Sequence, residues 1–144
     1  GDPEAMCDLG DWYLCGMNGL HKDMKLSYVW CSKAADHNSV RGMADKGFQL
    51  HFGAGVDKDE VTGAALLGIA AGRDHAFSCY ILGTHSYKGT LGLPKDHKFA
   101  KYWLSKALEL IQDGEDNGRG MAIDDIEACE RMLKELEGGT EMPP

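Results

Sequence analysis

Histidine and cysteine side chains bind zinc and act as nucleophiles, so their spacing is the first indication of chemistry in this chain. The six histidines are His21, His37, His51, His75, His85 and His97. No two of them are four residues apart and no Cys-x-x-Cys pair occurs, so the usual spacings of a zinc site are missing. No Ser-x-x-Lys nucleophile motif is present either. We therefore expect no metal, no cofactor, no catalytic residue and no small-molecule ligand.

The cysteines are odd in number and have no metal-type spacing. They are Cys7, Cys15, Cys31, Cys79 and Cys129. If Cys7 and Cys15 share a helix, they lie about 12 Å apart, beyond the ~7 Å between Cα atoms that a disulfide allows. This pattern is typical of buried free thiols in a reducing compartment, so we expect a cytoplasmic protein. No targeting segment is visible, and a fragment or processed chain is equally compatible with the sequence.

The net charge of −8 comes entirely from the C-terminal quarter of the chain. Residues 1–108 contain twelve acidic and twelve basic side chains, whereas residues 109–144 contain eleven acidic and three basic ones. A neutral body with an acidic end is a poor match for a phosphate backbone, so nucleic acid is not an expected partner. No run of about 18 apolar residues occurs, so no membrane association is expected. The acidic end is predicted to be a solvated helix face, with docking to a basic partner as the alternative.

Glycine is the unusual residue type, with 19 copies. The pattern Gly-x-x-Lys-Asp occurs at 19–23, 55–59 and 92–96, and the copies start 36 and 37 residues apart. Two further glycine series have matching spacings: Gly10, Gly47 and Gly83, and Gly16, Gly53 and Gly89. None of these turns fits a phosphate-binding loop, and threefold repetition favours a structural turn. The sequence therefore predicts three copies of one structural unit.

Each repeated position has a predicted role in a pair of helices. The series that begins at Gly16 supplies left-handed residues that end the first helix. The aspartates that end the repeated strings are predicted to N-cap the second helix: Asp23, Asp59 and Asp96. The series that begins at Gly10 lies mid-helix, where glycine costs about 1 kcal/mol relative to alanine, so we expect a close approach of the paired helix. Positions seven and eleven residues after each aspartate are predicted core: Trp30, Leu66 and Trp103, then Ala34, Ala70 and Ala107.

These signals predict an all-α chain of three helix pairs. The predicted helices lie near 3–15, 23–36, 40–52, 59–72, 75–88 and 96–112, in repeats of about 1–38, 39–75 and 76–112. Residues 113–122 are predicted to be a flexible loop. A capping helix over 123–138, N-capped by Asp124 or Asp125, would cover the open end of the stack and leave 139–144 as a tail.

The repeated residues resemble the Sel1-like repeat family, a relative of the tetratricopeptide repeat. Matching residues in repeats one and three are Leu9, Gly10, Tyr13, Lys22, Asp23, Trp30, Lys33 and Ala34, then Leu82, Gly83, Lys95, Asp96, Trp103, Lys106 and Ala107. Repeat two diverges, with Lys46, Leu50 and Leu66 in place of the leucine, tyrosine and tryptophan. The resemblance covers residues 2–108. It implies a right-handed α/α solenoid of three helix-pair repeats plus the C-terminal capping helix, acting as an adaptor or scaffold for other proteins and not as an enzyme.

In such solenoids the first helices of successive repeats line a concave face. The positions predicted to form its partner-binding groove are Asp11, Leu14, Arg41, Phe48, His51, Phe77, Tyr80, Thr84 and Tyr87, with Glu4, Cys7 and Ala44 in the same stripe. Four aromatic rings among them would form one wall that binds an extended or helical peptide of a partner protein. The alternative is that these rings are core between repeats or scattered surface.

Two other functions stay open on the sequence. The resemblance also extends to cysteine-rich members of the family that bind or hydrolyse β-lactams. In those members a cysteine at the end of each second helix is paired with another cysteine eight residues later. The corresponding pairs here are Ala35 with Met43 and Ala71 with Cys79, so that disulfide is missing. The other alternative is a recruiting or regulatory domain of a larger enzyme such as a ubiquitin ligase.

Overall fold

The computed structural model describes residues 1–90, 92–118 and 120–138, which form seven α-helices and no strand. The chain divides into two compact units, unit 1 over Gly1–Arg73 and unit 2 over Asp74–Pro144. Unit 1 holds α1 (Pro3–Cys15), α2 (Met24–Asp36), α3 (Val40–Phe52) and α4 (Glu60–Gly72). Unit 2 holds α5 (Ala76–Lys88), α6 (His97–Asp113) and α7 (Ile123–Glu137). In the part of the chain that is described, no helix is both long enough and apolar enough to cross a bilayer.

Helices α1 to α6 begin and end within one residue of the predicted spans. The second helix of each repeat starts one residue late because the preceding aspartate has extended backbone angles and acts as the cap. The Asp23 carboxylate accepts the Leu26 amide at 3.0 Å, and the carboxylates of the two later aspartates accept equivalent amides. The predicted N-caps are therefore confirmed, as are the left-handed C-caps, with φ of 69° to 71° in the series that begins at Gly16.

The paired helices approach closely at the glycines in their middle, as predicted. A Cβ built on Gly47 in α3 would lie 2.9 Å from the carbonyl oxygen of Gly63 in α4, a distance that real Cβ atoms do not show. A Cβ on Gly63 would lie 2.7 Å from the carbonyl oxygen of Gly47. Since both obstacles are backbone atoms, these two positions require glycine at this helix separation.

The predicted core stripe is confirmed at its alanines and only in part at its tryptophans. Ala34, Ala70 and Ala107 have no exposed surface. Trp30 and Trp103 are half-buried, and each ring has a lysine ammonium over its face, Lys33 at 4.7 Å and Lys106 at 5.3 Å from the ring centroids. The indoles therefore lie at the edge of the core, where a cation–π contact covers them.

Helix α7 packs its apolar face onto the other helices of unit 2 and presents charged side chains to the solvent. Cys129 is fully buried, and its thiol donates to the Leu104 carbonyl oxygen of α6 at 3.3 Å. The prediction that Asp124 or Asp125 caps this helix is wrong. The cap is Ala122, without a side-chain hydrogen bond, and the two aspartates lie in the first turn, where they face the positive end of the helix dipole.

The loop before α7 is attached to the start of α5. The Asp116 carboxylate accepts the Ala76 amide at 2.7 Å and the Gly120 amide at 2.9 Å, and the Asn117 amide donates to the Asp74 carbonyl at 2.8 Å. Asp116 therefore satisfies one of the free amides that open α5. The flexibility expected for 113–122 stays a prediction, and the predicted tail at 139–144 lies outside the described residues.

Candidate functional site

The first helices of unit 1 meet at a cluster of charged side chains. The guanidinium of Arg41 on α3 contacts three carboxylates of α1: Glu4 and Asp8, each 3.1 Å from Nη1, and Asp11, 2.5 Å from Nη2. The Arg41 side chain is only 7% exposed. Although burial alone would lower the pKa of Arg41, its hydrogen bonds to Asp11 and Asp8 raise it above the ordinary value. The arginine is therefore permanently charged and joins repeat 1 to repeat 2.

The carboxylates of this cluster remain partly accessible while the arginine does not. The exposed fractions of the side chains are 67% for Glu4, 38% for Asp8 and 27% for Asp11. Three carboxylates around one guanidinium leave an excess of negative charge on this side of unit 1. Arg41 was expected to line a groove, and this expectation is corrected, because its hydrogen bonds to α1 bury it.

Two phenylalanines lie further along α3. Phe48 is half-buried and Phe52 is 54% exposed, and their ring centroids are 4.6 Å apart. Phe48 follows Arg41 by seven residues, which places both on the same side of the helix. His51 also contacts Phe52, edge to face at 4.6 Å, but it is buried, and burial lowers the pKa of its imidazole below the ordinary value. Leu14, predicted on the same surface, is half-buried on α1.

In unit 2 the corresponding stripe on α5 faces helix α7. Phe77 and Tyr80 are half-buried, with ring centroids 5.9 Å apart. Burial and the nearby carboxylate of Asp125 on α7 raise the pKa of Tyr80. Thr84, one turn further along α5, is buried. This part of the predicted stripe is therefore packed within unit 2.

Tyr87 continues this contact with α7. Its hydroxyl donates to the carboxylate of Glu135, and this hydrogen bond raises the pKa of the phenol. The Tyr87 ring stacks on His97 with centroids 5.6 Å apart. The tyrosine thus holds α7 and the start of α6 together.

The structure brings some of the predicted groove residues together and buries others. Arg41, His51 and Thr84 are buried, so they support helix packing and offer almost no surface to a partner. The same correction applies to Cys7 and Ala44 of the predicted stripe. The aromatic residues form one group in unit 1 and another in unit 2, and a single wall through all four rings stays a prediction. Phe52 and Asp8 were not predicted from the sequence, although their spacing of four residues from Phe48 and Glu4 signals a shared helix face.

Four of the five cysteine thiols are buried, and Cys15 is exposed. Desolvation by burial raises the pKa of the Cys7 thiol to about 11 and those of Cys79 and Cys129 to about 12. A protonated thiol is a weak nucleophile and a poor metal ligand at neutral pH. Within residues 1–90, 92–118 and 120–138, no three histidine, cysteine or acidic side chains converge as a metal site would require.

The repeats of this chain match those of a known family. The sequence model of the Sel1 repeat matches residues 3–39, 44–75 and 76–110, which is most of the chain. The chain belongs to the Sel1 repeat family. Proteins of this family are generally non-catalytic helical scaffolds that mediate protein–protein interaction, and the chain is thus a protein-interaction module.

Curated relatives share the repeats at similar identities. The chain is 31% identical to protein SHC1 of Saccharomyces cerevisiae over 113 residues, 76% of this chain and 22% of that protein. It is 31% identical to the chitin synthase regulator SKT5 of the same yeast, over 74% of this chain and 16% of the regulator. It is 30% identical to cytochrome c oxidase assembly factor 7A of Xenopus laevis, over 74% of this chain and 48% of the factor. The chain therefore spans between about a sixth and a half of these relatives.

Solved structures agree on the fold. A Sel1 repeat protein from Oxalobacter formigenes aligns with a TM-score of 0.67 at 31% identity, covering 76% of this chain and 82% of that one. The antigen c5321 of uropathogenic Escherichia coli, which has the SLR fold, also gives a TM-score of 0.67, at 23% identity, covering 92% of this chain and 30% of that one. With the helix pairs of both units, these likenesses show an all-α repeat solenoid.

Proposed function

We propose that this Sel1 repeat chain is an adaptor that binds a segment of a partner protein on the α1/α3 side of unit 1. The observation that carries the proposal is the contact between Phe48 and Phe52. The Phe52 ring packs against Phe48 and is still more than half exposed. A ring already held by its neighbour orders few further torsions when a partner covers it, so aromatic residues of this kind contribute strongly to interfaces.

The charges nearby define the partner segment. Glu4, Asp8 and Asp11 lie on α1, and their carboxylates keep exposed surface beside Arg41. The segment should therefore carry an apolar side chain for the phenylalanines and lysine or arginine for the carboxylates. Exposed charge pairs contribute mainly to specificity and association rate, so the apolar contact would supply most of the affinity.

The relatives support a role that is exercised through other proteins. One is named a chitin synthase regulator and another a cytochrome c oxidase assembly factor, and in both names the chemistry belongs to a different protein. We infer the same arrangement for this chain, with catalysis, where it occurs, carried by the partner.

The test is affinity purification from the source cells with three baits: the wild-type chain, Phe52→Glu and Val61→Glu. Val61 is 82% exposed on α4, a second helix, so it is a matched control for adding a charge at an exposed apolar position. We expect one set of proteins to be retained by the wild type and the control and lost from Phe52→Glu. The same proteins on all three baits would contradict the proposal.

Nitrocefin separates the adaptor from the β-lactamase alternative. The purified adaptor should leave the reagent unchanged over hours at neutral pH, because the sequence has no Ser-x-x-Lys nucleophile motif and the described residues contain no metal-type cluster. Turnover that survives removal of contaminating activity would contradict a purely adaptor role.

A further inference from the structure

A second candidate surface lies on α6 of unit 2. Three aromatic side chains cluster there: Phe99 and Trp103 have ring centroids 6.0 Å apart, and Tyr102 and Trp103 have centroids 5.0 Å apart, both edge to face. Phe99 is 41% exposed and Tyr102 is 59% exposed. Large apolar surface in contact with water is unfavourable, so a clustered and rigid patch of this kind is a candidate interface.

Comparison between the repeats separates the structural ring from the other two. Trp103 occupies the position of Trp30 in repeat 1, and each has a lysine over its face, so this tryptophan belongs to the repeat itself. Phe99 and Tyr102 do not recur. The same positions hold Leu26 and Val29 in repeat 1, and Thr62 and Ala65 in repeat 2. The helix pair therefore forms without these two aromatic rings, and their presence in repeat 3 needs another explanation.

The α6 patch is basic in a chain that is otherwise acidic. Residues 88–106 contain five lysines and one acidic residue, so the other residues contain ten basic and 22 acidic side chains. Lys98 and Lys101 are exposed. Lys98 lies four residues before Tyr102 and three before Lys101, so the two lysines and Tyr102 share one side of α6.

A shallow depression continues this surface toward the end of α6. It has a volume of about 270 Å³ and is lined by Tyr102, Ser105, Lys106 and Glu109. The Lys106 ammonium is held between the Trp103 ring and the Asp74 carboxylate, 3.5 Å away, so this wall is already ordered.

We propose that the α6 surface, formed by Lys98, Phe99, Lys101 and Tyr102, docks an acidic segment of a partner protein. An apolar side chain of that segment packs against Phe99 and Tyr102, and its carboxylates pair with the two lysines. A second copy of this chain fits less well, because two copies of charge −8 repel and one helix face buries less than a stable dimer needs. A nucleic acid also fits less well, because the remaining residues carry twelve more acidic than basic side chains.

The experiment measures fluorescence anisotropy of a labelled synthetic peptide that alternates Asp and Glu around two leucines. We expect a dissociation constant of about 1–100 µM for the wild-type chain, given the small area of one helix face. Binding should weaken at least tenfold near 1 M salt, where the Debye length is about 3 Å. Lys98→Glu with Lys101→Glu, and separately Tyr102→Ala, should each weaken it at least fivefold.

Repeat 1 supplies matched controls for these variants. Lys25→Glu and Val29→Ala change the equivalent positions of α2, which are also exposed, and should leave the affinity unchanged. Circular dichroism melts of all variants should match the wild type, since every changed side chain is on the surface. Absence of binding to the acidic peptide, or equal weakening by the repeat 1 variants, would overturn the proposal. Tighter binding to oligo(dT), or dimers in sedimentation that Tyr102→Ala dissociates, would also overturn it in favour of the other occupants.

Discussion

Repeat 2 in unit 1 and repeat 3 in unit 2 use the same glycine position with different partners. Gly47 faces the backbone carbonyl of Gly63, whereas Gly83 faces mainly the side chain of Leu104. A Cβ on Gly83 would fall 2.7 Å from Leu104 Cγ and 3.1 Å from the Leu104 backbone nitrogen. The position of Gly63 is taken in repeat 3 by Ala100, which is fully buried. The same glycine position in the repeat can therefore contact either a backbone atom or a side chain. The contact depends on which residue the second helix has opposite that glycine.

The two units also differ in the side-chain contact that joins α3 to α1 in unit 1 and α5 to α7 in unit 2. In unit 1, the buried Arg41 joins α3 to α1 through three carboxylates. In unit 2, the half-buried Tyr87 joins α5 to α7 through one phenol–carboxylate hydrogen bond. Removing one partner of a buried charged cluster leaves the others unpaired, so the first contact should be the more costly to break.

The largest expected effect distinguishes the two glycine contacts. Gly47→Ala should cost about 3 kcal/mol of unfolding free energy, because backbone atoms of α4 cannot move aside. Gly83→Ala should cost about 1–2 kcal/mol, since Leu104 can change rotamer and alanine gains about 1 kcal/mol of helix propensity. Urea denaturation of both variants measures the difference. Equal costs would contradict the distinction between the repeats.

The next largest effect compares the contact of Arg41 with α1 and the contact of Tyr87 with α7. Arg41→Ala should destabilise the chain by about 2–3 kcal/mol, less than a fully buried pair because its carboxylates keep some water. Tyr87→Phe should cost about 1 kcal/mol or less, the value of one exposed hydrogen bond. Thermal melts at matched pH give both values. A larger loss for Tyr87→Phe than for Arg41→Ala would reverse the proposed difference between the units.

A smaller effect should appear as a pH dependence that arises in unit 1. Burial lowers the pKa of His51 in the folded chain below its ordinary value near 6.5, so the unfolded chain takes up the proton first as the pH falls. Stability should therefore be complete above about pH 7 and decline as the pH falls through 6.5 toward the folded pKa. His51→Gln should have a shallower slope than the wild type over that range. An identical slope would remove His51 as the source.

Thiol accessibility gives a prediction without a stability cost. Cys15 is exposed, whereas the four other cysteines are buried, and burial raises the pKa of each of those four thiols. Ellman's reagent at pH 8 should label one thiol quickly and the rest only when urea is added. Cys15→Ser should abolish the fast phase, and a fast phase of two or more thiols would contradict the burial of the others.

The helix pairs could be predicted from the sequence because their signals are local. Glycines at left-handed C-caps and aspartates at N-caps are dictated by backbone geometry within a few residues, as Gly16 and Asp23 illustrate. The failure at Asp124 and Asp125 has the same origin. A first-turn acid and an N-cap acid both stabilise a helix start, so a local rule cannot decide between positions two residues apart.

The candidate site was harder to predict because it depends on contacts between helices. A stripe counted along one helix placed Arg41 on a surface, but the carboxylates that bury it come from a helix 30 or more positions earlier. The same holds for Tyr87, whose partner Glu135 is 48 positions later. Phe52 was missed for a simpler reason, since it lies one residue outside the stripe and is exposed by the end of α3.

Helix pairing in repeat 2 depends on the close contact between Gly47 of α3 and Gly63 of α4. Two glycines of α4 test it directly, because a Cβ on Gly63 would lie 2.7 Å from a backbone oxygen whereas a Cβ on Gly68 meets nothing within 4 Å. Measured by equilibrium unfolding, Gly68→Ala should stabilise the chain by about 1 kcal/mol and Gly63→Ala should destabilise it by about 3 kcal/mol. Changes of the same sign and similar size at both positions would contradict the claim.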